Sequence, residues 1–256
     1  MNIIFFIVLL LALFMYMNHW TIKKEDKVGY HVIDMFSREQ VEHMLQLVKD
    51  KRYDDVYAFI TTNPTVVKKV ADIIGPDYEF KNYMLAIEKS SVSTCHRDEN
   101  GQFFNRDIKH PSYTILFYLK QLDGCLDVLE HSHEQSQIFN LKKLKSIECV
   151  PGQAILFDSD MIHSGSLKAG EESTRIQLKL HHKDDEFPKY LEKMHQTLDA
   201  SKDKEKGGNS MVARGISCTL PIVSDVTKNG QNVPESLVKF YKEMAYGKDK
   251  YNQDKY

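Results

Sequence analysis

The chain has 256 residues, 42% hydrophobic and 27% charged, which is enough apolar material for one sizeable core with extensions and excludes a disordered or low-complexity chain. Thirty-four basic and thirty-six acidic residues leave a net charge of -2, and their interleaving excludes the concentrated basic face of a nucleic-acid binder. Four cysteines (Cys95, Cys125, Cys149 and Cys218) show no CxxC pairing and are too few for a zinc ribbon or a disulfide scaffold. They are expected to be buried or neutral thiols in a reducing compartment.

Ile3 to Met17 is uninterrupted apolar sequence, with Tyr16 and Trp20 suited to a membrane interface. The stretch is short for a span, yet Met17-Asn18-His19-Trp20-Thr21 offers no small-x-small cleavage site. The expectation is an uncleaved membrane anchor over residues 1–22, rather than a cleaved signal or a buried helix. Lys23, Lys24 and Lys27 follow it, so the positive-inside rule keeps the domain cytosolic, with lumenal placement as the alternative.

After a linker over 23–36, a helical support region is expected over 37–77. Ser37-Arg38-Glu39-Gln40 reads as a capping box before an amphipathic helix ending near Val48. Asn63-Pro64 supplies a cap and a first-turn proline for a second helix that stops near Gly75-Pro76. From Tyr78 the texture changes to short apolar or alternating runs, at Tyr78–Ile87, Ser112–Leu119, Lys145–Val150, Ala154–Phe157 and Thr174–His181. Asn100-Gly101, Asp123-Gly124, Pro151-Gly152 and Ala169-Gly170 separate them as turns. The whole is predicted to be α+β, with a β-sandwich or jelly roll over 78–184.

An extension over 185–246 follows, with a helix at Leu191–Leu198, a mobile loop at Ser201–Asn209, a strand at Ile216–Val223 and a last helix at Glu235–Met244. The tail 247–256 is expected to be disordered.

The chemistry-bearing signal is His96-Arg97-Asp98, with His163 sixty-five residues beyond Asp98 and Arg175 twelve beyond His163. On an extended segment residues i and i+2 share a face, so His96 and Asp98 point together. Two imidazoles and one carboxylate can occupy one face of an octahedral iron(II), leaving positions open for a co-substrate and O₂. A nearby arginine can hold the far carboxylate of a dicarboxylic co-substrate through a bidentate pair. His182-Lys183-Asp184 repeats the tripeptide but has no downstream His-Arg pair, and it reads as a surface or rim feature. His131 and His133 are read as turn residues. Arg175, Gln177 and Lys179 share one face of an alternating strand whose other face is apolar.

Several of these pieces occur in a fixed order. Cys95-His96-Arg97-Asp98 comes first, then Tyr113–Leu119, then Asp123-Gly124-Cys125-Leu126 running to His131-Ser132-His133. Pro151-Gly152-Gln153-Ala154-Ile155-Leu156-Phe157, Ile162-His163-Ser164-Gly165 and Arg175 complete the series. In this order the region from Tyr78 to His182 resembles the iron(II)/2-oxoglutarate dioxygenases, and within them the phytanoyl-CoA dioxygenase-like group. The resemblance implies a double-stranded β-helix (jelly roll) with His96, Asp98 and His163 as iron ligands. It implies Arg175 as the partner of the 2-oxoglutarate C5 carboxylate, with Ser166 on the same carboxylate and Tyr113 or Tyr118 lining the pocket. It also implies Fe(II), with 2-oxoglutarate as co-substrate and O₂, and hydroxylation of a small-molecule, lipid-like or protein substrate with release of succinate and CO₂.

The chain departs from the family at Glu130-His131-Ser132-His133, where the turn glycine is missing, and at Gln153, where an acidic residue is usual. A prolyl-hydroxylase-like enzyme, a membrane-tethered jelly roll without catalysis and a zinc hydrolase are the competing readings. The first would carry a lysine anchor, and hydrolysis at zinc has no need of a dicarboxylate anchor.

Overall fold

A computed structural model describes residues 28–89, 94–98, 109–134, 140, 142–166, 174–187, 189–199 and 210–220. The expected anchor at Ile3–Met17, the loop Ser201–Asn209, the helix Glu235–Met244 and the tail from Gly247 fall outside these residues. No helix among the described residues is long and apolar enough to cross a membrane.

Three helices form a layer ahead of the sheets: α1 (Arg38–Lys49), α2 (Tyr53–Thr61) and α3 (Pro64–Ile74). Ser37 caps α1 with a complete capping box, its side chain accepting from the Gln40 amide while the Gln40 side chain accepts from the Ser37 amide. Asn63 Oδ1 accepts from the Thr65 and Val66 amides at the start of α3, where Pro64 has no N–H to lose. Gly75, at φ +101°, ends that helix in the left-handed region that glycine enters freely. α2 has no clear signature in the sequence, because its buried face is only Val56 and Ile60, too few repeats to give a periodic signal.

Among the described residues nine strands follow a mixed order: β1 (Tyr30–Asp34), β2 (Tyr78–Lys89), β3 (Tyr113–Tyr118), β4 (Leu122–Val128), β5 (Lys145–Cys149), β6 (Gln153–Asp158), β7 (His163–Gly165), β8 (Arg175–His182) and β9 (Met194–Asp199). They build a six-stranded sheet in the order β1-β6-β3-β8-β2-β9 and a three-stranded sheet in the order β5-β4-β7. One face of the large sheet packs on the helices through Ile115, Phe117, Ala154, Leu156, Ile176, Leu178 and Leu180. Its other face meets the small sheet through Leu116, Tyr118, Ile155 and Phe157 against Leu126, Val128 and Ile147. Strand alternation alone sorts these side chains into the two layers.

Several expectations are corrected here. The 23–36 segment is not all linker, because β1 pairs antiparallel with β6 from Tyr30↔Phe157 to Asp34↔Gln153. Leu191–Leu198, expected to be helical, contains β9, which runs parallel to β2 along its free edge. Backbone pairing with an available edge overrides the weak helical preference of that segment. Of the strand expected over Ile216–Val223, residues 216–219 instead belong to a helix, α4 (Ser210–Thr219), and residues 221–223 lie outside the described residues. The sheets therefore extend past 78–184 at both ends.

Two turns carry the positive φ angles that shape this frame. Gly152, at φ +93°, follows Pro151, and its carbonyl accepts from the Met35 and Phe36 amides at 2.8 and 2.9 Å. A β-carbon there would run into the Phe36 carbonyl oxygen. At the turn after β4, His131 itself adopts φ +65°.

The cysteines are also corrected. Cys95 is bonded to Cys218 and Cys125 to Cys149, with Cα–Cα separations of 4.9 and 5.8 Å that are ordinary for a disulfide. No spacing rule identifies such pairs, since 123 residues separate the first two in sequence.

Candidate metal centre

His96, Asp98 and His163 converge at one end of the space between the sheets, with one ligand atom from each lying within 4.8 Å of the others. The backbone dictates this convergence. His96 and His163 form an antiparallel bridge, each amide donating to the other's carbonyl at 2.9 Å, so their rings sit on the same side with centroids 4.5 Å apart. The Asp98 amide donates to the Ser159 carbonyl at 2.7 Å and continues the segment past the bridge. Alternation turns Cys95 and Arg97 the opposite way. Arg97 is buried and donates to the carbonyls of Ser132 and Asp160, tying the two flanking loops to the ligand segment.

Each imidazole is oriented in the same manner. His96 Nδ1 lies 2.8 Å from the Thr94 carbonyl and His163 Nδ1 2.9 Å from the Met161 carbonyl. A proton on Nδ1 satisfies each carbonyl and leaves the Nε2 lone pair as the ligand atom. Both Nε2 atoms are 3.6 Å from Asp98 Oδ1. Phe157 packs edge-on to the His163 ring at 4.7 Å and closes the apolar side.

The second carboxylate oxygen of Asp98 is fully engaged elsewhere. Oδ2 accepts from Thr114 Oγ1 at 2.6 Å and from Lys179 Nζ at 2.7 Å. Lys179 also donates to Thr114 Oγ1 at 2.9 Å, and Thr114 Oγ1 meets Ser159 Oγ at 3.1 Å. These bonds are mutually consistent, since a hydroxyl donates once and accepts twice. Lys179 and Thr114 are direct cross-strand partners on β8 and β3. Asp98 is thereby held with Oδ1 toward the imidazoles and Oδ2 away from them. The donor set of two neutral imidazole nitrogens and one monodentate carboxylate fits a divalent first-row metal such as iron(II).

Arg175 begins β8 on the same inward face as Gln177 and Lys179, four residues and about 13 Å of extended chain from Lys179. Its guanidinium carbon lies 6.0 Å from the Tyr118 ring centre. The Tyr118 hydroxyl donates to the Cys125 carbonyl at 3.1 Å, and the Ser166 amide donates to the same carbonyl at 3.0 Å. Arg175 and Tyr118 are register partners on β8 and β3 and face the inter-sheet space together, whereas the Ser166 hydroxyl meets Ser146 Oγ at 3.1 Å, and Ser146 is the register partner of Asp127 on the opposite face of the small sheet. Burial pushes the Tyr118 phenol above its ordinary pKa, against the opposing pull of the Arg175 charge, so this ring is a neutral wall.

Tyr113 is placed otherwise. It packs with Ile115 and Phe117 on the helix-facing side, edge-on to Tyr78 at 5.2 Å, opposite in alternation to Thr114 and Tyr118. It does not line the inter-sheet space. His182-Lys183-Asp184 lies at the far end of β8, where His182 stacks on His110 at 3.7 Å and the Asp184 side chain is exposed. His96, Asp98 and His163 are the only metal-type cluster among the described residues.

Lys179, Thr114 and Ser159 carry no motif that marks them as partners of Asp98. Alternation from Arg175 put Lys179 on the correct face, but nothing in one strand distinguishes an inward lysine from a solvated one.

No family model matches the sequence, and no curated protein does. Among solved structures, HygX from Streptomyces hygroscopicus with nickel and 2-oxoglutarate bound aligns at TM-score 0.51 and 16% identity, covering 62% of this chain and 84% of that one. The apo form of HygX aligns at TM-score 0.51 and 15% identity, covering 70% of this chain and 95% of that one. The chain therefore has the sheet-rich α+β fold of HygX, a protein crystallised with a metal and 2-oxoglutarate.

Proposed function

We propose that this protein is an Fe(II)/2-oxoglutarate-dependent oxygenase that hydroxylates its substrate on a double-stranded β-helix scaffold. One observation carries the reading: a converging His-Asp-His set and an inward arginine stand at opposite ends of one face, joined by β8. A hydrolytic metal site needs only the first of these.

When bound, iron(II), 2-oxoglutarate and O₂ supply the oxidising power, the co-substrate leaving as succinate and CO₂ while one oxygen atom enters a substrate C–H bond. The chain's own residues do the rest. His96 Nε2, His163 Nε2 and Asp98 Oδ1 would hold the metal. Lys179 and Thr114 keep Asp98 monodentate by occupying Oδ2. Arg175 would offer two parallel N–H groups to the far carboxylate, and the neutral Tyr118 ring would wall the same pocket without repelling an anion. Arg175→Ala is expected to weaken 2-oxoglutarate binding at least tenfold while Ni(II) affinity stays within twofold, both read by calorimetry. Equal loss of the two would remove the anchor role.

For placement, the two disulfides support an oxidising compartment, so we put the domain on the lumenal side of a membrane tethered by residues 1–22. Complete digestion of the domain by protease added to sealed microsomes would contradict that.

A further inference from the structure

The two histidine ligands are held from behind by one short helix. On the outer side of the small sheet, α4 presents Arg214, Ser217 and Cys218, which at i, i+3 and i+4 share a single helical face. Arg214 donates to Ser164 Oγ and, at 2.9 Å, to the Gly165 carbonyl, both on β7 beside His163. Its second terminal nitrogen pairs with Asp127 Oδ2 at 2.6 Å on β4, and Asp127 is the register partner of Ser164. Ser217 Oγ accepts from the Cys95 amide at 2.9 Å, and Cys218 is disulfide-bonded to Cys95, the residue before His96. The same helix face therefore grips β4, β7 and the His96 segment in succession.

These contacts are buried. Arg214 and Asp127 retain 7% and 14% side-chain exposure, Ser217 and Cys95 are fully enclosed, and Leu129 and Ile162 pack around the disulfide. Burial works against the Arg214 charge, and the Asp127 carboxylate sustains it. The helix end is closed from a third direction, Asn140 donating from its amide to the Thr219 carbonyl at 2.8 Å and from Nδ2 to the Cys218 carbonyl at 3.2 Å. A ten-residue helix is marginal on its own, so its position is set by these bonds.

We infer that α4 is a positioning latch that fixes the spacing of His96 and His163, and that its hold depends on the Cys95–Cys218 disulfide remaining closed. His96 and His163 are linked directly by their two bridge hydrogen bonds, and behind them each is tied to α4 through its neighbour. Opening the disulfide removes the covalent tie between α4 and the His96 segment and leaves the Ser217–Cys95 hydrogen bond to hold them together. The step is a thiol–disulfide exchange: the S–S bond breaks, each sulfur gains a proton and an electron, and an external dithiol closes to its own disulfide. This rests on the proposed metal site, but not on the 2-oxoglutarate reaction.

The test uses the full chain and Co(II) alone as probe, with binding followed by titration and by the cobalt ligand-field absorption, which reports donor geometry. Three samples are compared with the oxidised parent: the parent reduced with dithiothreitol and desalted anaerobically, Cys218→Ser, and the milder Ser217→Ala. The latch predicts at least tenfold weaker Co(II) binding and a changed absorption band in the reduced and Cys218→Ser samples, with a smaller shift of the same kind in Ser217→Ala. Unchanged affinity and unchanged spectra in all three would overturn it. The two proposals fail separately: a parent that binds Co(II) in a latch-dependent way but never turns over 2-oxoglutarate loses only the oxygenase reading. A parent that turns over 2-oxoglutarate with no latch dependence loses only the latch.

Discussion

Lys179 Nζ sits 2.7 Å from Asp98 Oδ2, a buried ion pair at the edge of a metal centre whose own charge would compete for the same carboxylate. The pair solves a problem of the metal-free protein. Without a cation, an ionised aspartate with 9% side-chain exposure is costly, and the ammonium neutralises it at little geometric expense because the lysine is already on the facing strand.

Lys179→Met tests this division of labour. Breaking a buried pair costs about 3 kcal/mol or more, so the metal-free variant should lose that much stability in urea denaturation. With saturating Ni(II) the loss should be smaller, because the metal then neutralises Asp98. An equal loss with and without Ni(II) would show that Lys179 acts only as packing.

Gly152 is irreplaceable on steric grounds. Its positive φ and the Phe36 carbonyl behind it leave no room for a side chain, and its own carbonyl anchors the chain between β1 and α1. Gly152→Ala is expected to cost about 2 kcal/mol or more. A melting temperature within a degree of the parent would contradict the steric argument.

Asp185 contributes to the acid limb of stability. Burial pushes its carboxyl up, but hydrogen bonds from the Lys109 and His110 amides and from the His110 ring outweigh burial and hold it below the ordinary carboxylate range. A group depressed in the folded state contributes stability that is fully present above its unfolded pKa and lost as pH falls through its folded pKa. Asp185→Asn should therefore be less stable than the parent near neutral pH, with the difference shrinking below about pH 4. A constant difference across that window would rule out the carboxylate charge as the cause.

What was legible in the sequence was whatever local chemistry determines. Ser37 and Asn63 announced two helices because capping is decided within four residues. His96 and Asp98 shared a face because alternation is a property of any extended segment, and Arg175 was found by order along the chain. The elements that escaped depend on distant partners. β1 and β9 exist because sheet edges were available to pair with them. α4 is held by Cys95, Asp127 and Ser164, remote in sequence, so Ile216–Val223 read locally as a strand. Tyr113 and Tyr118 could not be separated until the sheet had two identified sides, and Lys179 could not be told from a surface lysine until Asp98 stood opposite.

Iron- and 2-oxoglutarate-dependent oxidation on one face of this fold, as proposed, is measured by succinate release from the purified protein supplied with 2-oxoglutarate, O₂ and Fe(II). Turnover should require Fe(II) and fall at least a hundredfold in Asp98→Ala and His163→Ala. A parent protein that binds Fe(II) at the triad but neither binds 2-oxoglutarate nor releases succinate would contradict it.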